Sequence, residues 1–149
     1  MKCKALFPGT FDPFTVAHDD IVQRALSFTG GIIIAIGVNQ EKSTIHTLES
    51  RIDFIQRLYA KEKRISVISY DTLTLDFARK MRVNFILRGL RNSIDFEYEK
   101  SMADFNRKIS GIETVFLISQ PQFAHISSSL VRELLKRKQY ISHFIPEIK

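Results

Sequence analysis

One cysteine, Cys3, stands in the whole chain of 149 residues, so neither a disulfide framework nor a cysteine-based zinc site can form within it. That usage suits a reducing compartment. No apolar run is long enough to span a bilayer, and Pro8 stops the first run, Ala5-Leu6-Phe7, too early for a signal-peptide core. The expectation is a soluble, cytoplasmic protein with no membrane partner. The usual nucleotide fingerprints are missing as well: there is no G-x-x-x-x-G-K-[ST] loop, and no G-x-G-x-x-G follows the first apolar run. Without repeats, low-complexity tracts or linkers, the chain reads as a single domain, residues 1–149, able to bury a core unaided.

Basic charge is what the chain has in excess. A formal net charge of +6 and a pI near 9.6 favour acidic partners, either nucleic acid or small phosphorylated molecules. No RNA-binding aromatic signature or zinc finger accompanies the charge. Part of it, Arg132, Lys136, Arg137 and Lys138, falls near the end of a predicted helix, where cations complement the dipole with no ligand at all. A nucleic-acid module would rest on the basic balance alone and would show steep salt dependence.

Apolar periodicity sets out alternating strands and helices. After the opening strand comes a predicted helix over 18–29, stopped by Gly30-Gly31. Ile32-Ile33-Ile34-Ala35-Ile36 is continuous and β-branched, as in a strand buried on both faces. Thr47 caps a helix with Leu48, Ile52, Ile55 and Leu58 on its apolar face. Further strands are expected at 65–68, 83–87 and 114–118, and helices at 72–81, 93–109 and 127–137. The helix at 93–109 is expected to pack through Phe96, Met102, Ala103 and Phe105. The segment Arg88-Gly89-Leu90-Arg91 is expected to leave the fourth strand at its carboxyl end. Such alternation implies an α/β fold, a doubly wound, Rossmann-like domain with a five-stranded parallel sheet. Ligands of such sheets bind beyond the carboxyl ends of the strands.

Two segments carry phosphate-binding chemistry. Pro8-Gly9 and Asp12-Pro13 make a turn-rich loop that ends in T-x-x-H, Thr15 to His18, which leaves His18 in the first turn of a helix. Ile126 to Arg132 reads I-S-S-S-x-x-R, again at a helix start. Each places hydroxyl and N–H donors beside a basic side chain at the positive end of a helix dipole. Alone, each is an ordinary capped helix. The remaining histidines, His46, His125 and His143, show no ligand-like spacing.

Taken together, P-G-T-F-D-P-x-T-x-x-H, Lys42, R-G-L-R at 88–91, D-F-E-Y-E at 95–99 and I-S-S-S at 126–129 resemble the bacterial phosphopantetheine adenylyltransferase family. That family belongs to the nucleotidyltransferase superfamily of the T/H-x-G-H type, and the resemblance covers nearly the whole chain. It implies reversible transfer of adenylate from ATP to 4′-phosphopantetheine, giving dephospho-coenzyme A and pyrophosphate. By the same resemblance, Thr10, Lys42, Thr74 and Arg88 hold the acceptor, and His18 is catalytic. Thr10, Phe11 and His18 meet the ATP phosphates. Gly89, Leu90, Arg91 and Glu99 contribute to the ATP site, and Phe123, Ala124, His125, Ile126, Ser127, Ser128 and Ser129 close over the nucleotide. Mg²⁺ arrives with ATP rather than in a protein cage of carboxylates. The resemblance further implies a homohexamer and feedback inhibition by coenzyme A, with no nucleic-acid partner. In this chain Val16-Ala17 stands where Asn-Gly is usual, which adds a methyl group beside the phosphate position. Related nucleotidyltransferases that act on nicotinate mononucleotide or glycerol phosphate are the nearest alternatives.

Overall fold

The computed structural model describes residues 3–39, 41 and 43–149. The elements run β1 (Lys4–Gly9), α1 (Val16–Ala25), β2 (Gly31–Gly37), α2 (Leu48–Leu58), β3 (Ile65–Tyr70), α3 (Thr74–Lys80), β4 (Phe85–Leu90), α4 (Ser93–Ser110), β5 (Glu113–Ile118) and α5 (Ser128–Lys136), with short 3-10 turns at Pro121–Phe123 and Ser142–Phe144. The five strands are parallel and lie in the order β3-β2-β1-β4-β5. This is an α/β fold. The order reverses between β1 and β4, so the loops leaving these two strands open a crevice at their carboxyl ends.

Burial follows the strand period of two. Ala5 and Phe7 of β1 with Ile32, Ile34 and Ile36 of β2 face α1 and α2, where Ile21, Val22, Ala25 and Ile55 complete one core. Leu6, Ile33 and Ala35 face the other way and pack with Phe77 and Ala78 of α3. Each fully buried isoleucine contributes roughly 1.5–3 kcal/mol relative to exposure, which explains why an unbroken apolar run becomes an inner strand. No helix among the described residues is long and apolar enough to cross a membrane.

Several boundaries differ from the sequence expectations. α1 starts at Val16 and ends at Ala25, because Leu26 to Phe28 tighten into i→i+3 turns, with Ser27 N–H on Arg24 O and Phe28 N–H on Ala25 O. β4 runs through Leu90 rather than ending at Leu87. Arg88, Gly89 and Leu90 pair in register with Phe116, Leu117 and Ile118, so this part of R-G-L-R lies within the sheet. The packing expected for α4 is also corrected. Phe96, Met102 and Phe105 are exposed and Ala103 is only partly buried, because α4 lies against β5 and α3 and buries no residue fully.

Candidate active site

A cleft of about 320 Å³ opens at the switch point between β1 and β4. Thr10 and Phe11 of the β1–α1 loop, His18 of α1, Arg88 and Gly89 of β4, Arg91, and Glu99 of α4 line it. Ile126 to Ser129 and Arg132 line it from the α5 side.

His18 is the third residue of α1 and packs among aromatic rings, with centroids 5.1 Å from Phe11, 5.2 Å from Phe14 and 6.2 Å from Phe7. Burial, then the charges of Arg88 and Arg91, push its imidazole pKa down to about 3. The ring is therefore neutral at ordinary pH. Its Nδ1 accepts the Thr15 backbone N–H at 3.0 Å, which assigns the proton to Nε2 and leaves that nitrogen as the ring's donor.

The end of β1 and the β1–α1 loop are held through their carbonyls. Arg88 Nη1 donates to Pro8 O (2.9 Å), Arg51 Nη1 to Thr10 O (2.7 Å), Arg132 Nη1 to Asp12 O (2.8 Å) and the Ser128 hydroxyl to Pro13 O (2.8 Å). Asp12 is buried, and its carboxylate accepts the N–H groups of Ile45 (2.8 Å) and His46 (2.9 Å) and lies 2.7 Å from His46 Nδ1. Burial alone would raise its pKa, but these donors outweigh that and hold it below the usual carboxylate value. Gly9 is required by close approach: a Cβ there would sit 2.8 Å from Phe11 Cζ.

On the opposite wall, Arg88 meets Glu99 fork to fork, and Arg91 pairs with Asp95 through Nε (2.9 Å) and Nη2 (3.2 Å). Ser127 caps α5 by accepting the Leu130 N–H, and Arg132 Nη2 donates to Ser129 Oγ. Two helix N-termini thus border one cleft with basic side chains between them, an arrangement suited to a polyphosphate.

The cleft brings together Thr10, Phe11, His18, Arg88, Gly89, Arg91, Glu99 and Ile126 to Ser129. Leu90 is buried and does not line it. Thr74 lies in an adjoining cavity of about 190 Å³ that shares Pro8, Arg88 and Glu99 with the cleft wall. Phe123 and His125 line a separate groove with Asp19 and Asp20, and Ala124 lines neither. Lys42 lies outside the described residues. Residues that the sequence did not single out include Ser119, on the cleft wall after β5, and Arg51. Arg51 carried a signal: at one turn before Ile55 and one after Leu48, it falls on the apolar face of α2, and it is buried.

The sequence profile of the cytidylyltransferase-like family matches residues 6–134, which places the chain in that class. A phosphopantetheine adenylyltransferase of Bacteroides thetaiotaomicron is 52% identical over 144 residues, covering 97% of this chain and 95% of that one. Another from Flavobacterium johnsoniae is 48% identical over the same length, with 97% and 95% covered. The chain belongs to the phosphopantetheine adenylyltransferase family. Among solved structures, a bifunctional NMN adenylyltransferase/ADP ribose pyrophosphatase from Francisella tularensis matches 100% of this chain and 46% of its own, with a TM-score of 0.76 at 14% identity. At that identity the likeness shows a shared fold.

Proposed function

We propose that the protein transfers adenylate from ATP to 4′-phosphopantetheine, releasing pyrophosphate and dephospho-coenzyme A. Relatives about half identical over nearly the full chain support this reaction. Within the cleft, the supporting observation is a neutral His18 with its proton on Nε2, between two helix N-termini and beside Arg88 and Arg91. A phosphate monoester is mostly dianionic near neutral pH, its second pKa being about 6, so the attacking oxygen needs no general base. That oxygen bonds to the α-phosphorus, the bond from the α-phosphorus to the bridging oxygen breaks, and pyrophosphate leaves with the electron pair. The protein supplies alignment and donors for the charge that builds on the α-phosphate. His18 Nε2–H and the Thr10-Phe11 backbone serve the α-phosphate, Arg91 and Ser127 to Ser129 the rest of ATP, and Thr10, Lys42, Thr74 and Arg88 the acceptor.

Mg²⁺ fits as a companion of the nucleotide. Among the described residues no group of three His, Cys, Asp or Glu is arranged to hold a metal, and the cleft carboxylates Asp95 and Glu99 are engaged by Arg91 and Arg88. Carried by the nucleotide rather than by a carboxylate cage of the protein, the ion would supply charge neutralisation for the departing pyrophosphate. The same proposal includes a cytoplasmic location, a single catalytic domain, feedback inhibition by coenzyme A, and a homohexamer. The exposed apolar residues of α4, Ile94, Tyr98, Met102, Phe105 and Ile109, support self-association.

The deciding experiment incubates the folded protein with ATP, Mg²⁺ and 4′-phosphopantetheine and weighs the products. Dephospho-coenzyme A and pyrophosphate are expected. Turnover of nicotinate mononucleotide in place of phosphopantetheine overturns the proposal.

A further inference from the structure

Phe11 is not a glycine, yet its φ is +51°, in the left-handed region. For a bulky residue that conformation is strained and persists only where the surroundings over-determine it. The surroundings here are specific. The Phe11 ring is buried against Phe7, Phe14 and His18, and the carbonyls on either side of it, Thr10 O and Asp12 O, are each held by an arginine. One of these, Arg132, borders the cleft; the other, Arg51, does not and approaches from α2 on the far side of the loop.

Arg51 is itself anomalous. Its side chain is buried, its partners are the carbonyls of Thr10 (2.7 Å) and, more weakly, Thr47 (3.4 Å), and no carboxylate among the described residues lies within ion-pair distance of it. A guanidinium buried without a counter-ion is costly, and an apolar side chain of similar length would serve the core better. The geometry gives it another use. In a planar trans peptide, C=O and N–H point in opposite directions. Drawing Thr10 O toward α2 therefore turns the Phe11 N–H away from Arg51, toward the cleft that Thr10 and Phe11 line. Rotating this peptide by half a turn would return Phe11 to an ordinary negative φ, but it would present a carbonyl oxygen where the phosphates of the proposed substrate lie. The left-handed φ is thus the signature of the donor-inward orientation.

We propose that Arg51 is a positioning residue that locks the Thr10–Phe11 peptide with its N–H facing the cleft, making that N–H a fixed donor to the nucleotide's phosphate. The assignment rests on the adenylyl-transfer reading for its ligand, while its geometry stands on the loop alone.

The test compares wild type, Arg51→Met and Arg51→Lys, each confirmed folded by circular dichroism and thermal melting. Arg51→Met is expected to melt no lower than a few degrees below wild type, while kcat per folded molecule falls about tenfold to a hundredfold with a smaller change in either KM. Arg51→Lys is expected to recover most of the loss, since its ammonium still donates to Thr10 O. In parallel, wild type labelled with ¹⁵N-phenylalanine is titrated with a non-hydrolysable ATP analogue, and the Phe11 amide is expected to shift on binding. Unchanged turnover in Arg51→Met, a lysine variant no better than the methionine one, or a Phe11 amide that does not respond to bound analogue would each overturn the proposal. If Arg51→Met does not fold, the lysine variant and the amide titration decide. A wild type that binds the analogue through Phe11 but ignores phosphopantetheine would refute the acceptor assignment and leave this one standing.

Discussion

The Arg88 guanidinium and the Glu99 carboxylate face each other as two parallel forks, Nε to Oε2 at 2.9 Å and Nη2 to Oε1 at 2.5 Å, while Nη1 reaches Pro8 O. Arg88 thus reaches the cleft already oriented by a carboxylate and a carbonyl. Replacing it with alanine is expected to weaken 4′-phosphopantetheine binding by about tenfold to a hundredfold, the worth of a hydrogen bond to a charged group, and to leave ATP affinity within a few-fold. Arg88→Lys is expected to recover little, because an ammonium cannot match the fork. Calorimetric titration with each substrate separately checks both statements.

His18→Ala is expected to lower single-turnover rates by about 10²–10³, as for loss of one preorganised donor, while ATP still binds. The α5 N-terminus and Arg91 remain to hold it. Rapid quench with saturating substrates, on protein shown to be folded, separates this from a helix-starting role, which would leave the rate per folded molecule unchanged.

The pH dependence of stability has a definite sign. The folded imidazole of His18 resists protonation until about pH 3, whereas in the unfolded chain it takes a proton below its ordinary value of 6.5. Acid therefore favours the unfolded state across that window, and stability falls as pH drops from 6.5 toward 3. In His18→Gln the fall is expected to be shallower. Denaturant midpoints at half-unit pH steps test it.

Two glycines are expected to respond differently to alanine. Gly9→Ala pushes a methyl into the Phe11 ring, costing about 1–3 kcal/mol of stability as overpacking does, and disturbs the loop so that activity falls too. Gly111, the αL cap of α4 with φ +72°, has open space around its Cβ direction, so Gly111→Ala costs about 1 kcal/mol through backbone strain alone and spares activity. Urea unfolding and specific activity of the two variants make the comparison.

Placing glutamates at Phe105 and Ile109, 55% and 50% exposed on α4, is expected to reduce the proposed homohexamer to smaller species without loss of secondary structure. Sedimentation velocity with circular dichroism on the same samples checks it.

Strand and helix order was legible because β-branched runs such as 32–36 leave few alternatives, and Thr47 and Ser127 announce their helices as caps. The end of β4 was not legible, since Arg88 and Gly89 break an apolar run although their backbone pairing with β5 continues. For α4, periodicity indicates an apolar face but not whether the face meets this chain's core. The cleft residues near His18 and Ser127 to Ser129 were readable from helix-start chemistry. The buried charge of Asp12 was not, because polar residues are exposed by default and its partner Ile45 lies 33 positions away; Arg51 was marked by its place on the apolar face of α2, but its partner Thr10, 41 positions away, was not.

The four carbonyl tethers of the end of β1 and the β1–α1 loop come from donors 41, 80, 115 and 120 positions further along the chain. Loop-closure entropy delays contacts of such separation, and synthesis proceeds from the N-terminus. A nascent chain that has completed β1, β2 and β3 has three of the five strands of the sheet, but nothing yet holds Asp12 O or Pro13 O. Those two contacts wait for Ser128 and Arg132 to emerge and α5 to dock. The loop that lines the cleft is thus among the earliest segments made and among the last to take its working shape.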